Sequence, residues 1–115
     1  MILIIGAAAS GKREYVRALG YTDADMANAI LDKRPVIYNL QDFIYQSPFL
    51  DSNILLSMLL KKEVVICNEV GSGIIPLEHA QRELRETTGR MCILLAKRAE
   101  RVIRLICGIP TVIKE

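Results

Sequence analysis

Residues 2–13 decide the fold and read Ile-Leu-Ile-Ile-Gly-Ala-Ala-Ala-Ser-Gly-Lys-Arg. The first four residues form a continuous apolar run, which is typical of a strand buried on both faces. From Lys12 onward the sequence is mixed, with an apolar stripe that ends before Gly20, and this pattern predicts a short helix. A strand, a glycine turn and a helix therefore follow one another directly.

This stretch fits the phosphate-loop pattern Gly-x4-Gly-Lys in the strand-to-helix context that the pattern requires. Such a loop turns backbone N–H groups toward phosphate oxygens, and its lysine neutralises the oxygens that are transferred. The alternative is an ordinary glycine turn with a solvated lysine, and the context favours nucleotide binding over it. The residues expected to bind nucleotide are Gly6, Ala7, Ala8, Ala9, Ser10, Gly11, Lys12 and Arg13, with Lys12 also catalytic.

Arg13 stands where the pattern carries Ser or Thr, whose hydroxyl binds Mg²⁺. A guanidinium cannot ligate a cation, so the metal is held otherwise, or Arg13 replaces part of its charge, or catalysis is impaired. Ser10 is the neighbouring hydroxyl, but it belongs to the loop rather than to the metal position.

A second group of polar residues follows the apolar run Val64–Cys67, where Asn68 and Glu69 close a predicted buried strand. Phosphate-loop enzymes place a carboxylate at such a strand end, either to hold Mg²⁺ through water or to accept a proton from a substrate hydroxyl. Glu69 is the candidate for both roles. The plainer interpretations are a solvent-facing glutamate and, for Asn68, a turn or cap residue. His79, the sole histidine, is expected to be an exposed helix residue.

The other elements follow from the same patterns. We predict a strand over 36–38, a helix capped by Asp51 that runs to Leu60, a helix that starts at Pro76 and stops at Gly89, a helical stretch over 90–99, a strand over 102–106 and an edge strand at 112–113. Met26, Ala29 and Ile30 predict a short helix. Strands that alternate with helices indicate an α/β fold, with a P-loop NTPase-like, mostly parallel sheet and helices on both faces.

Composition excludes several classes of protein. The chain has 115 residues, which we expect to form a single nucleotide-binding domain over 1–115, and its 51% hydrophobic content excludes disorder as the main state. A net charge of +2 and 5% aromatic residues do not indicate a nucleic-acid partner. Cys67, Cys92 and Cys107 have no metal-ligand spacing, so we expect buried free thiols. The chain shows neither a signal peptide nor a membrane span, and a cytoplasmic location is expected.

Three stretches of the sequence are distinctive, and they read Asn68-Glu69-Val70-Gly71-Ser72-Gly73-Ile74-Ile75-Pro76, Arg85-Glu86-Thr87-Thr88-Gly89-Arg90 and Gly108-Ile109-Pro110. With them the chain resembles the bifunctional adenosylcobinamide kinase and adenosylcobinamide-phosphate guanylyltransferase family of cobalamin biosynthesis. The resemblance covers about residues 2–20 and 63–113 and implies ATP or GTP, Mg²⁺ and a corrinoid substrate. It further implies a substrate loop built from Asn68, Gly71, Gly73 and Pro76. The family assembles into rings, and this apolar chain is expected to form a homo-oligomer.

The chain also departs from the family it resembles. The family carries a serine where Arg13 stands and ends a strand similar to residues 36–41 with an aspartate where this chain has Tyr38, and the segment with the guanylylated histidine is absent. We therefore expect a shortened, divergent member that transfers a phosphoryl group from ATP or GTP to the hydroxyl of cobinamide, with guanylyl transfer lost. The alternative is a degenerate member that binds nucleotide or corrinoid without turnover and acts in regulation or assembly.

Overall fold

A computed structural model of the chain describes residues 1–69 and 79–115, and of residues 79–81 the backbone alone. The strands are β1 (Ile2–Gly6), β2 (Met26–Asn28), β3 (Val36–Tyr38), β4 (Val64–Asn68), β5 (Arg101–Ile106) and β6 (Ile109–Lys114). The helices are α1 (Lys12–Ala18), α2 (Leu40–Gln46), α3 (Ser52–Leu60) and α4 (His79–Arg98), and a 3₁₀ turn spans Asp23–Asp25.

In the described ranges these strands form one sheet in the order β2-β3-β4-β1-β5-β6. Neighbours pair in parallel as far as β5, and β6 pairs with β5 in the antiparallel direction. The predicted mostly parallel α/β sheet is therefore confirmed. The short edge strand expected at 112–113 is longer than predicted, since β6 starts at Ile109.

Two apolar clusters cover the two faces of the sheet. Side chains of β1 and β4 alternate between them, because successive residues of a strand point to opposite faces. One cluster packs Leu3 and Val65 against α2, α3 and α4, and the other packs Ile4 and Ile66 against α1. Helices on both faces explain why the central strands are apolar throughout rather than alternating with polar residues.

The expected helix around Met26 and Ile30 is wrong. Residues 26–28 form β2 instead, pairing in parallel with β3 from Met26 opposite Val36 to Asn28 opposite Tyr38. Met26 and Ala27 are buried, so the segment adds apolar surface to the sheet. Pairing with a strand close by in the sheet outweighs the weak local preference for a helix.

Two further differences concern helices. Gly89 is not a stop signal, because α4 continues through it to Arg98 and buries Met91 and Leu95 beyond it. The helix expected to start at Pro76 has its first residues outside the described part of the chain. The structure also contains α2, which the sequence pattern did not predict, whereas α3 begins as predicted with the Asp51 carboxylate accepting from the N–H groups of Asn53 and Ile54.

The three thiols differ in exposure. Cys67 is buried, Cys92 is partly buried against the same cluster, and Cys107 is exposed, so the expectation of a buried thiol is wrong for Cys107. Cys107 lies in the turn between β5 and β6, where its φ of 50° is in the left-handed region. Within residues 1–69 and 79–115, no helix has the length and apolar character needed to cross a membrane.

Candidate functional site

The phosphate-loop residues lie at the point of the sheet where one connection between strands runs to one side and another runs to the other side. From β1 the chain crosses to β2 on one side, and from β4 it crosses β1 to reach β5 on the other side. A crevice forms at such a point outside the carboxyl ends of the strands, and ligands of open α/β sheets bind there. A cavity of about 410 Å³ lies at this point, lined by residues 8–14, by Tyr38 and Asn39, and by Ile66 and Asn68.

Two glycines allow the loop its close approach to the sheet. A Cβ atom on Gly6 would lie 2.7 Å from the carbonyl oxygen of Leu105 on β5, a distance that the neighbouring backbone cannot accommodate. Gly11 has a φ of 90°, and a Cβ atom there would lie 3.2 Å from Gly108 Cα. The N–H of Gly108 donates to the Ser10 carbonyl at 2.9 Å, so the β5–β6 turn supports the loop from outside.

The Lys12 side chain is folded into the loop. Only 7% of its surface is exposed, and its Nζ donates to the Ala7 carbonyl at 2.5 Å and to Ser10 Oγ at 3.4 Å. Removal from water lowers the pKa of Lys12 below its usual 10.5, and the partners of its ammonium group are neutral oxygens. A phosphate oxygen would therefore supply the negative charge that this ammonium group lacks in its hydrogen bonds.

Arg13 and Tyr38, the two positions at which the chain departs from the resemblance, contact each other. The guanidinium carbon lies 4.9 Å from the centre of the Tyr38 ring, which is a cation–π geometry. Both residues line the 410 Å³ cavity. The stack therefore places a fixed positive charge beside the phosphate loop, and the guanidinium offers N–H donors but no lone pair for a metal ion.

Glu69 follows β4 as predicted, but a partner that the sequence did not suggest holds its carboxylate. Arg104 of β5 donates from Nε to Oε1 at 2.5 Å and from Nη2 to Oε2 at 3.0 Å, while the Glu69 N–H donates to the Gly6 carbonyl at 2.8 Å. With Arg104 and Cys107, Glu69 lines a second cavity of about 270 Å³ beside residues 7–10. A lone arginine inside the apolar run 102–106 was the signal that could have suggested this pair.

The structure brings Asn68 to the cavity wall, where its backbone N–H donates to Gln41 Oε1 at 3.0 Å. The other expected substrate-loop residues, Gly71, Gly73 and Pro76, lie outside the described residues. The backbone of His79 belongs to α4, and its side chain is not described. Among the described residues, no group of three or more His, Cys, Asp or Glu side chains is placed to hold a metal ion.

The family model described as cobinamide kinase / cobinamide phosphate guanyltransferase matches residues 49–113, more than half of the chain. The chain belongs to this cobinamide kinase family. The match includes α3, β4, α4, β5 and most of β6, and it confirms the C-terminal part of the resemblance, whereas the phosphate loop lies before it. No curated protein matches the chain.

Membership of the cobinamide kinase family gives the chain its broad role. The family consists of enzymes of cobalamin biosynthesis that bind nucleotides and act on cobinamide compounds. The matched range contains Glu69 and Arg104 but none of the residues of the phosphate loop.

Proposed function

We propose that this chain, acting as a single nucleotide-binding domain, binds ATP or GTP through residues 6–13 and transfers a phosphoryl group to the hydroxyl of cobinamide. The observation that carries the proposal is the geometry of Lys12, a buried cation beside a 410 Å³ cavity, because the hydrogen-bond partners of its ammonium group in the described part of the chain are neutral oxygens of the loop. Burial lowers the pKa of this ammonium group although Glu69 and Glu14 act on it through space without a hydrogen bond to it, and bound phosphate would offset the cost of that burial.

In the proposed reaction the acceptor hydroxyl oxygen attacks the γ-phosphorus. The bond between that phosphorus and the β–γ bridging oxygen breaks, and the nucleoside diphosphate leaves. The hydroxyl proton passes to a base, for which we propose the Glu69 carboxylate after its pair with Arg104 opens. Lys12 and Arg13 would stabilise the charge that spreads over the transferred oxygens, because both are placed at the cavity before the reaction begins.

The described residues do not form a Mg²⁺ site in this cavity. The one carboxylate among its lining residues is Glu14, which lies 3.8 Å from Arg17, and Glu69 pairs with Arg104. Arg13 replaces the hydroxyl that usually ligates the metal. We therefore assign no step to Mg²⁺ and propose that Arg13 supplies part of its charge.

Calorimetric titration of the protein with ATP and with GTP, each with and without Mg²⁺, tests the nucleotide site. We expect binding of at least one nucleotide that changes little when Mg²⁺ is removed. Incubation with labelled ATP or GTP and cobinamide should then give labelled cobinamide phosphate. A protein that binds neither nucleotide contradicts the proposed site.

With labelled GTP alone, the denatured protein should stay unlabelled, since the histidine segment is absent.

The second candidate function is binding without turnover, and the Arg13–Tyr38 stack is the observation that favours it. Arg13→Ser separates the two functions. If the variant gains cobinamide phosphorylation together with dependence on Mg²⁺, the wild-type site is an impaired kinase site that mainly binds nucleotide. If the wild type already phosphorylates cobinamide and the variant is slower, Arg13 takes part in catalysis and the non-catalytic function is contradicted.

We also propose that the chain forms a homo-oligomer. Ile93 of α4 and Ile113 of β6 are more than half exposed and line one surface cavity, so this part of the surface offers apolar area for a subunit contact. Light scattering coupled to size-exclusion chromatography measures the mass directly. A mass equal to that of one chain would contradict the proposal.

A further inference from the structure

Three amide side chains form a connected row along the carboxyl ends of three neighbouring strands. Asn28 ends β2, Asn39 follows β3, and Gln41 in the first turn of α2 reaches the end of β4. Asn39 Nδ2 donates to Asn28 Oδ1 at 2.9 Å, and Gln41 Nε2 donates to Asn39 Oδ1 at 3.3 Å. Gln41 Oε1 accepts from the backbone N–H of Asn68 at 3.0 Å. We call Asn28, Asn39 and Gln41 the amide row.

The direction of every hydrogen bond in the amide row follows from one backbone group. The N–H of Asn68 can only donate, so the oxygen of the Gln41 amide must face it. The nitrogen of Gln41 is then directed to Asn39, whose own nitrogen is directed to Asn28. The oxygen and nitrogen atoms of an amide look alike in a structure, but along this row the hydrogen bonds decide which atom is which.

Among the residues that the structure describes, this direction leaves the amide row with unused donors. Each amide nitrogen has two hydrogens, and the row itself uses one on Gln41, one on Asn39 and none on Asn28. The spare N–H groups are two on Asn28, one on Asn39 and one on Gln41, whereas the oxygens of Asn28 and Asn39 accept within the row and the Gln41 oxygen accepts from the Asn68 backbone. A ligand that uses these donors presents oxygen atoms that accept, such as carboxamide, hydroxyl or phosphate oxygens.

The amide row meets the 410 Å³ cavity, which we call the phosphate cavity, through Asn39. Asn39 and Asn68 line that cavity together with Tyr38, while Lys12 and Arg13 line it from the loop and α1. The row itself carries no charge, and the two cations of the cavity belong to the start of α1, with Arg13 stacked on Tyr38. The position and the neutrality of the row suit an acceptor molecule that lies next to the bound nucleotide.

We propose that the amide row is the subsite that holds the phosphoryl acceptor, through hydrogen bonds from its spare N–H groups to carboxamide or hydroxyl oxygens of that acceptor. The proposal rests on the proposed kinase function and adds residues that determine which acceptor is bound. Asn28, Asn39 and Gln41 are positioning residues, and they take no part in proton or phosphoryl transfer.

The test compares Asn39→Gly and Asn28→Ala with wild type. Glycine suits position 39 because Asn39 has a φ of 55° and glycine adopts this conformation without strain. Asn53→Ala on the exposed start of α3 is the matched control, since its side chain lies outside the row. Binding of cobinamide and of ATP is measured separately by calorimetry, and thermal unfolding shows whether each variant is folded.

We expect Asn39→Gly to weaken cobinamide binding by about tenfold, which corresponds to one net hydrogen bond, and Asn28→Ala to weaken it less. ATP binding should change less than twofold, and Asn53→Ala should bind both ligands like wild type. Cobinamide affinity that is unchanged in folded Asn39→Gly overturns the amide row as an acceptor site.

Titration with inorganic phosphate shows whether the amide row binds oxygens of the acceptor or oxygens of the nucleotide. We expect Asn39→Gly to bind phosphate like wild type. An equal loss of phosphate, ATP and cobinamide binding would assign the row to the nucleotide and overturn the proposal. Wild type that binds cobinamide but no nucleotide would contradict the proposed kinase function alone, because the row is tested by binding and not by turnover.

Discussion

The two walls of the phosphate cavity are built by different means. Residues 6–12 form the loop wall, which consists mainly of backbone, and its alanines at positions 7, 8 and 9 are exposed. The facing wall consists of Tyr38, Asn39 and Asn68, with Arg13 stacked on the tyrosine ring. The loop wall keeps the phosphate-loop pattern, whereas the facing wall carries Arg13 and Tyr38, where the resemblance in the sequence implied serine and aspartate.

The difference between the two walls indicates which parts of such a site can change in sequence. A backbone wall requires glycine where a Cβ atom would collide, so its sequence is constrained by space rather than by chemistry. A wall of side chains can exchange one set of charges for another while the strands beneath it stay in place. Under the proposed function, we therefore expect phosphate binding at the loop wall to be retained and the metal requirement to change at the facing wall.

The largest effect is expected from Lys12→Ala, which removes the one charged side chain of the loop wall. Nucleotide affinity should fall roughly 10- to 100-fold, because a hydrogen bond to a charged group contributes about 1.5–3 kcal/mol. Calorimetric titration with ATP measures the loss, and circular dichroism checks the fold. Unchanged affinity in a folded variant would contradict the phosphate-loop assignment.

Gly6→Ala tests whether space constrains the loop wall. The added Cβ atom would lie 2.7 Å from the Leu105 carbonyl, so we expect a loss of about 1–3 kcal/mol in the free energy of unfolding, as for other overpacked sites. Gly89→Ala is the matched control, since a Cβ atom there meets nothing within 4 Å and lies in a helix. The control should be as stable as wild type or more stable by up to about 1 kcal/mol. Denaturant unfolding of both variants decides the point, and equal stability of the two would remove the spatial argument.

The pH dependence of nucleotide binding reports on the charge of Lys12. Burial lowers the pKa of Lys12, so the free protein loses this charge at a lower pH than the usual 10.5. Below that pKa the affinity should be independent of pH, and above it the affinity should fall, because phosphate then binds only with uptake of a proton. Titrations across the alkaline range measure the decline. Lys12→Arg keeps its charge, so its affinity should stay flat over the same range, and an equal decline in both proteins would rule out Lys12 as the cause.

The smallest effect is expected at the facing wall. Tyr38→Leu removes the ring beneath Arg13, and an exposed cation–π contact contributes about 0.5–1 kcal/mol, so nucleotide affinity without Mg²⁺ should fall roughly two- to fivefold. Tyr38→Phe keeps a ring and should bind like wild type. If both variants lose affinity equally, the hydroxyl rather than the stack supports Arg13.

The sequence predicted the framework of the molecule because its signals are local. Apolar runs predicted β1, β3, β4 and β5, and the glycine pattern predicted the turn from β1 into α1. The predictions that were wrong depend on partners elsewhere in the chain. Residues 26–28 have weak preferences of their own and form a strand because β3 offers them a free edge. Gly89 resembles a helix end, but burial of Met91 and Leu95 continues the helix past it.

The amino-acid sequence alone determined that a strand, a glycine loop and a lysine would stand together, because these residues are adjacent in the chain and the short-range geometry of the backbone fixes their arrangement. Only the tertiary structure decided what surrounds that lysine. The pairing of Glu69 with Arg104 and the stacking of Arg13 on Tyr38 join residues far apart in sequence. The order of strands in the sheet sets these contacts, and that order depends on the packing of the whole chain rather than on any one segment.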